Sequence, residues 1–380
     1  AGPGWLTVAV DGSLFGTPGP GNVGVNQFTV KLSDVTAATA TATLTIEVFM
    51  PGTVHLPKLK VLSFNVWIGT ANVSDGYNKG LDSILLSDAD IVAVCENRGR
   101  AGDWADDLGW HVYQAGSDDA VLSRYPVVDT FTASAAVGAR VRLADSPLRE
   151  MNFWSCHLTA YPYGPYDVRD ESGNNAAKVA AALAAENDSG RVAQINSILL
   201  NASAQLAAAD TTPVLLLGDF NCPSHLDWTP ATATAGLHFG LVLGWPVTRL
   251  TENAGMIDAF RAVHPDPVAM PGDTWTPIDP NDVQDRIDMV QFKGAPLSVI
   301  DCQVFTTIAQ GRWPSDHAGV LAEFSVSPVD SEPDGLADAW EVAHFGDTTS
   351  QDASGDLDGD RLNNFGEQGF GTDPTEQNDH

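Results

Sequence analysis

Six short segments of this 380-residue chain set polar side chains at the end of an apolar run. They are SFNVW with Asn65, AVCENR with Glu96, SCHLTAY with His157, LLLGDFNCP with Asp219 and Asn221, DRIDMV with Asp285 and Asp288, and WPSDHAGV with Asp316 and His317. Taken singly, each has an ordinary structural explanation: an Asx turn for Asp219 and Asn221, a hydrogen-bonded core histidine for His157, a turn cap for Asn65. Burying an unpaired polar group is costly, however, and six such cases with carboxylate, amide and imidazole all represented point to one shared pocket at strand ends. The residue types suit phosphoester hydrolysis. Carboxylate oxygens bind a hard cation such as Mg²⁺, which offsets the charge of the phosphate and its transition state. A histidine with a carboxylate partner serves as general base toward water, while amides and a second histidine hold the non-bridging oxygens. The chain contains neither a GxxxxGKS/T phosphate loop nor a GxSxG elbow, which disfavours an NTP switch and a serine hydrolase.

These groups need strands that end together. KLKVLSFNVW, ADIVAVCE and PVLLLGDF read as buried strands, and DDAVLSRYP, ARVRL, EMNFWSCHL, DRIDMVQF, LSVIDCQVF and GVLAEFSV add to them. GYNKGLDSILLSD reads as an amphipathic helix with Leu81, Ile84 and Leu85 on one face, and residues 175–209 as Ala-rich helix broken near NDSG. The expected architecture is two packed sheets flanked by helices. LTAYPYGPYD follows the His157 strand directly, so Tyr161, Tyr163 and Tyr166 are expected to overhang the pocket as an aromatic platform. Asp288 is expected to partner a histidine, and Asp285 to be its solvated neighbour. Cys95, Cys156 and Cys222 read as small buried hydrophobes. No CxxC pair is present, so zinc is not expected.

Charge separates the chain into three parts. The net charge is −30, from 19 Lys+Arg and 49 Asp+Glu. This balance argues against broad nucleic-acid binding and against an anionic membrane surface as partner, and no apolar run approaches the length of a membrane span. Residues 1–55 carry three acidic residues and one basic, and read as all-β from WLTVAV, NQFTVKL and ATLTIEV. That stretch resembles part of the immunoglobulin-like repeats of bacterial secreted proteins, with PGTVHLPK as linker. The start AGPGWLTV is expected to be that of a mature or excised chain rather than a signal peptide. Residues 56–327 form the expected catalytic domain. Residues 328–380 carry 14 acidic residues and one basic. There Asp330, Glu332, Asp334, Asp338 and Glu341 take positions 1, 3, 5, 9 and 12 of a twelve-residue calcium loop, with Leu336 at position 7. Asp356, Asp358, Asp360, Asn364 and Glu367 repeat that spacing 26 residues later, around Leu362. Gly335 fills position 6 of the first loop, where the second has Arg361. With DAWEVAHFG and GTDP, the tail resembles calcium-dependent C-terminal segments of secreted bacterial proteins, which places the protein outside the cell or on its surface.

SFNVW, the Glu96 strand, SCHL, LLLGDFN, DRIDMV and SDH resemble, in that order, the motifs of the endonuclease/exonuclease/phosphatase superfamily, over residues 58–326. The resemblance implies a four-layer α/β sandwich with two central mixed β-sheets flanked by helices, and a Mg²⁺ or Mn²⁺ site at one end. It implies Glu96 as the main metal ligand, with Asn65 nearby or bound to the metal through water, and Asp316 also reaching the metal. His317 would activate the water, oriented by Asp288. His157 and Asn221 would hold the phosphate, and Asp219 would assist the nucleophile or the leaving group. Arg98 and Tyr161 are further candidates for contact with the substrate. Cys95 departs from the family, where Gln is common before the glutamate.

The leading expectation is a secreted, metal-dependent hydrolase of a small or lipid-like phosphoester, either phosphodiesterase or phosphatase. An extracellular endonuclease is the alternative, with Arg140, Arg142, Arg149, Arg169 and Arg191 as a local phosphate track. A calcium-dependent adhesion or matrix protein with an inactive hydrolase-like domain is the alternative from another class.

Overall fold

The computed structural model describes residues 2–9, 14–33, 38–48, 58–145, 148–328, 330 and 334–377. The chain divides into two compact units, residues 1–55 and 56–380. The first holds two antiparallel pairs: β1 (Thr7–Val8) with β2 (Leu14–Phe15), and β3 (Gly24–Ser33) with β4 (Thr39–Val48). Its side-chain packing centres on Trp5, whose ring meets Phe28 edge-on at 5.3 Å and whose indole N–H donates to Asn26 at 3.1 Å.

The second unit contains two six-stranded mixed sheets. One comprises β5 (Lys58–Asn65), β6 (Ile91–Cys95), β7 (His111–Tyr113), β8 (Ala120–Ser123), β15 (Leu297–Phe305) and β16 (Gly319–Val326). The other comprises β9 (Val127–Ala133), β10 (Ala136–Asp145), β11 (Leu148–His157), β12 (Val214–Asp219), β13 (Ile257–Asp258) and β14 (Asp288–Lys293). Their orders are β15-β16-β5-β6-β8-β7 and β13-β14-β12-β11-β10-β9. Each sheet has a central parallel pair, β5–β6 or β11–β12, flanked by antiparallel neighbours.

The strands are apolar on both faces because both faces are covered. Leu59 and Val61 of β5, Ile91 and Ala93 of β6, Phe153 of β11, Leu215 and Leu217 of β12 and Phe292 of β14 fill the layer between the sheets. The alternate residues Leu62, Phe64, Val92 and Val94 pack instead on Ile84 and Trp104 of the helices Gly76–Ser87 and Arg100–Leu108. On the opposite side Trp154 and Leu216 pack on Ile195 and Ile198 of the helix Arg191–Asn201. The result is the four-layer α/β sandwich that the sequence motifs implied.

One helix face differs from expectation. Ile84 is buried and Leu81 is partly so, but Leu85 is 54% exposed. The inward face of that helix runs through Gly80, Ser83, Ile84 and Ser87. It turns that way because the six-membered ring of Trp104 presses on Gly80, where a Cβ would come within 2.3 Å of the indole. The Ala-rich region forms helices at Asn175–Ser189, Arg191–Asn201 and Ser203–Ala207, with the first break at Gly190 in the left-handed conformation. No helix among the described residues is long and apolar enough to cross a membrane.

Candidate active site

The two-residue period of the strands decides what stands at the end of the inter-sheet layer. Asn65 continues the inward series of Leu59 and Val61, His157 that of Met151 and Phe153, Asp219 that of Leu215 and Leu217, and Asp288 that of Val290 and Phe292. Register aligns three of them across one sheet: His157 lies opposite Asp219, and Asp219 opposite Asp288. The parallel pairs put the C-terminal ends of β5 and β6 together, as they do those of β11 and β12. Antiparallel β14 and β16 bring their N-terminal ends to the same pole. Gly218 makes the approach of β12 to β11 possible. Its φ is 143°, and a Cβ there would lie 1.9 Å from the Cys156 carbonyl oxygen.

Asp219 is the hub of the site. His317 Nε2 and His157 Nε2 each lie 3.7 Å from its Oδ2. Both rings are anchored on their far nitrogens, His317 Nδ1 to Asp288 at 2.9 Å and His157 Nδ1 to Asp118 at 3.0 Å. Two histidine–carboxylate dyads therefore converge on one carboxylate oxygen. Burial opposes charge on His317, but Asp288 and Asp219 outweigh it and push its pKa up to about 10. His157 is likewise opposed by burial and raised to about 9 by Asp118 and Asp219. Burial raises Asp288, against the pull of His317. Its backbone N–H donates to Thr274 Oγ1 at 3.0 Å. Trp275 packs its ring 4.8 Å from that of His317.

Glu96 sits just past β6 with φ 55°, a left-handed geometry that costs a non-glycine residue free energy and recurs at functional sites. Its Oε2 accepts the Ile68 N–H at 2.8 Å. Asn65, fully buried, donates to Asp219 Oδ2 at 3.0 Å and faces Glu96 Oε1 at 3.4 Å, while its own Oδ1 accepts the Trp67 N–H. Asn65 thus ties the two carboxylates together from behind, next to Glu96, and is not among the residues lining the cleft. Asn221 uses its amide hydrogens on Leu158 O at 2.9 Å and Asp219 Oδ2 at 3.1 Å. It therefore positions Asp219, and it also lines the cleft where the phosphate was expected to be held. Asp316 borders the cleft; burial raises its pKa to about 6, against His317, with Glu96 adding to the rise. Its Oδ1 is buried without a hydrogen-bond partner.

The cleft these groups share measures about 220 Å³. Trp67, Ile68, Tyr161 and Trp275 form its apolar walls, and no Lys or Arg is among its lining residues. An all-oxygen set at Glu96 and Asp316, with one orphaned buried oxygen and no Lys or Arg beside it, fits a hard divalent ion. Asp219, Asp288 and His317 also bring ligand atoms within 4.8 Å of one another. In that trio, however, the His317–Asp288 hydrogen bond already occupies Nδ1.

Several expected neighbours are placed differently. Arg98 is exposed and outside the cleft lining, because its backbone N–H is tied to Ser117 O in the turn beyond Glu96. Asp285 is fully buried rather than solvated, accepting from Tyr163 Oη at 2.9 Å and Trp228 Nε1 at 3.0 Å. Tyr163 is consumed by that bond, and Tyr166 by Asp282 and Trp275. All three tyrosines nonetheless line the cleft as expected, with Tyr161 open at the rim, 66% exposed. The arginine track dissolves too. Arg191 is buried in a pair with Glu186 at 2.7 Å and holds the Thr159 carbonyl at 2.8 Å, bracing the Tyr161 loop. Arg149 is buried and donates to Ser327 O, Arg140 donates to Asn152, Arg142 pairs with Glu150 and Arg169 with Asp170. Asp118 went unread in the sequence. Its only signal is the Asp118–Asp119 doublet at the head of the DDAVLS strand.

The tail forms two loops of matching pattern. Asp330 Oδ2 accepts the Gly335 N–H at 3.0 Å, and Asp356 Oδ2 the Arg361 N–H at 3.2 Å. Asp334 accepts from Leu336 N and Asp360 from Leu362 N, at 2.9 and 2.8 Å. Position 6 is left-handed in both, with φ 99° at Gly335 and 84° at Arg361. Ligand atoms of Asp356, Asp358 and Asp360 lie within 4.8 Å of one another. Glu341 and Glu367, at position 12 of each loop, are fully buried, as is Asn364. Asp338 begins the helix Asp338–His344. Glu332 lies outside the described residues.

The profile of the Endonuclease/Exonuclease/phosphatase family matches residues 62–317. An uncharacterized protein of Caenorhabditis elegans is 30% identical over 297 residues, covering 70% of this chain and 91% of that protein. Among solved structures, the human Nocturnin catalytic domain with bound sulfate is 15% identical, with a TM-score of 0.47 over 71% of this chain and 94% of its own. D. rerio TDP2 complexed with a single-strand DNA product is 18% identical, with a TM-score of 0.46 over 70% and 98%.

Proposed function

We propose that this chain, which belongs to the Endonuclease/Exonuclease/phosphatase family, is a divalent-metal-dependent hydrolase that adds water to the phosphorus of a small or lipid-like phosphoester. The observation that carries this reading is the convergence of the His317–Asp288 and His157–Asp118 pairs on Asp219. Glu96 and Asp316 would hold Mg²⁺ or Mn²⁺, which when bound supplies neutralisation of the phosphoryl oxygens. The His317 pKa would fall beside a cation held at Glu96 and Asp316, favouring the neutral ring; neutral His317 then takes a proton from water on Nε2 as the water oxygen bonds to phosphorus, and Asp288 stabilises the imidazolium. Asp219 orients that water. His157, its ring fixed by Asp118, offers its Nε2 hydrogen to a phosphoryl oxygen. The ester P–O bond breaks, and the leaving oxygen takes up a proton.

The test is hydrolysis of bis-p-nitrophenyl phosphate and p-nitrophenyl phosphate with EDTA, Mg²⁺, Mn²⁺ or Ca²⁺, wild type against His317→Ala. Metal-dependent cleavage lost in the variant supports the reading, and the preferred ester separates diesterase from phosphatase. Plasmid nicking with steep salt dependence would favour an endonuclease. Absence of any cleavage would favour a binding protein with an inactive hydrolase-like domain.

A second reading concerns residues 328–380, as a calcium-binding segment. It rests on Glu367, whose two carboxylate oxygens are buried with no hydrogen-bond partner beside the Asp356, Asp358 and Asp360 cluster. Such a group needs a cation. Extracellular calcium modules work at roughly 10⁻⁴–10⁻³ M, which together with the acidic composition supports a location outside the cell. Residues 1–55 read in the same way as part of an immunoglobulin-like module. Calorimetric titration of the full chain with Ca²⁺, against Asp356→Asn/Asp360→Asn, tests the segment.

A further inference from the structure

Arg312 is unusual among the cations of this acidic chain. Among the described residues it makes no ion pair and no side-chain hydrogen bond, and its guanidinium lies 5.8 Å from the centroid of the Trp67 ring. Trp67 is a wall of the catalytic cleft, fixed by its N–H bond to Asn65 at 3.0 Å. Arg312 also borders a second depression of about 540 Å³, where Pro277, Ile278, Ile308 and Trp313 supply apolar surface. Two links set this groove against the cleft. Trp275, packed on His317, precedes Pro277 by two residues, and Trp313 Nε1 donates to the His317 carbonyl at 2.6 Å.

We propose that this groove is a second subsite for the substrate, taking a flat or apolar arm that carries a further anionic group, and that Arg312 binds that group. The inference rests on the hydrolase reading of the cleft. Charge complementarity selects the occupant. The only cationic groups lining the cleft are the two imidazoles that serve the reacting phosphate, and it carries no Lys or Arg, so a second anion finds no free cationic side chain there. At the edge of the neighbouring groove it meets a guanidinium whose donors are unspent. A guanidinium presents a planar fork to carboxylate or phosphate, and stacking on an indole holds it without using those donors.

Two diesters with the same leaving group test this: p-nitrophenyl phenyl phosphate and p-nitrophenyl 4-carboxyphenyl phosphate, assayed with Mg²⁺ on the full chain. Wild type is expected to prefer the carboxylated ester by about 10- to 100-fold in kcat/KM, as a charge-assisted hydrogen bond allows, with the difference in KM. Arg312→Gln is expected to bring that ratio close to one, and Arg312→Lys to restore part of it. Equal rates in wild type, or a preference kept in Arg312→Gln, would overturn the subsite. If neither ester is cleaved, the hydrolase reading fails and the subsite is read separately, by calorimetric binding of phenyl and 4-carboxyphenyl methylphosphonate. Tighter binding of the carboxylated probe that is lost in Arg312→Gln upholds the subsite; equal or absent binding of the two overturns it.

Discussion

The cleft and the tail both concentrate carboxylates, and they hold them in opposite ways. In the cleft, each acid stands on a strand end or beside one, and donors of the surrounding fold fix it. Asn65 and Asn221 hold Asp219, Ile68 N–H holds Glu96, and the Thr274 hydroxyl receives the Asp288 N–H. The apolar layer behind, from Leu59 to Phe292, sets those positions whether or not an ion is present. In the tail, Asp330 and Asp356 are fixed by the N–H groups of their own loops, each ahead of a short helix, Asp338–His344 and Asn364–Phe370. Glu367 is buried there with its oxygens unpartnered. One acidic site is organised by a core; the other, on the calcium reading proposed above, would take the ion as part of its own organisation.

The contrast is sharpest where function and stability separate. His317→Ala is expected to lower kcat/KM by about 10²- to 10⁴-fold while leaving thermal unfolding and calcium titration close to wild type; a matching loss of stability would mean that the cleft, too, depends on its polar groups to fold. Calcium at about a hundred times its Kd should stabilise the tail by about 2.7 kcal/mol. Limited proteolysis with and without EDTA would read this as cleavage confined to residues 330–377, and a cleavage pattern indifferent to calcium would break the comparison. Gly218→Ala should cost about 1–3 kcal/mol or more in urea unfolding, since it adds left-handed strain to a backbone clash beneath Asp219. A tolerated alanine would mean that β12 can shift without loss. The smallest expected effect is in the second tail loop. Arg361→Gly relieves a left-handed φ of 84° and should tighten calcium binding by about 1 kcal/mol. Unchanged affinity would show that this loop is not paying for its non-glycine turn.

The strand-end acids and histidines were legible because the inter-sheet layer forces apolar runs to stop where the site begins. Pairings that depend on tertiary approach were not. Asp118 meets His157 across 39 residues, from the head of a strand in the opposite sheet. Asp285 sits in an acidic, proline-flanked stretch that looks solvated, while its partners Tyr163 and Trp228 lie 122 and 57 residues away. Leu85 looked inward by hydrophobicity alone, yet the place was set by the Trp104 ring against Gly80. Arg191 looked like a phosphate contact because nothing in its spacing reveals that Glu186 folds back onto it.

The pairing of β5 with β16 has a practical side. Lys58 at the start of β5 lies opposite Ser325 near the end of β16, so the catalytic fold takes in its chain and releases it at adjacent points. Both points are at the pole away from Asn65 and His317. The domain therefore receives and returns the chain side by side. A circular permutant that closes Ser327 onto Lys58 through a short linker, and opens in an exposed loop elsewhere, should retain its cleft.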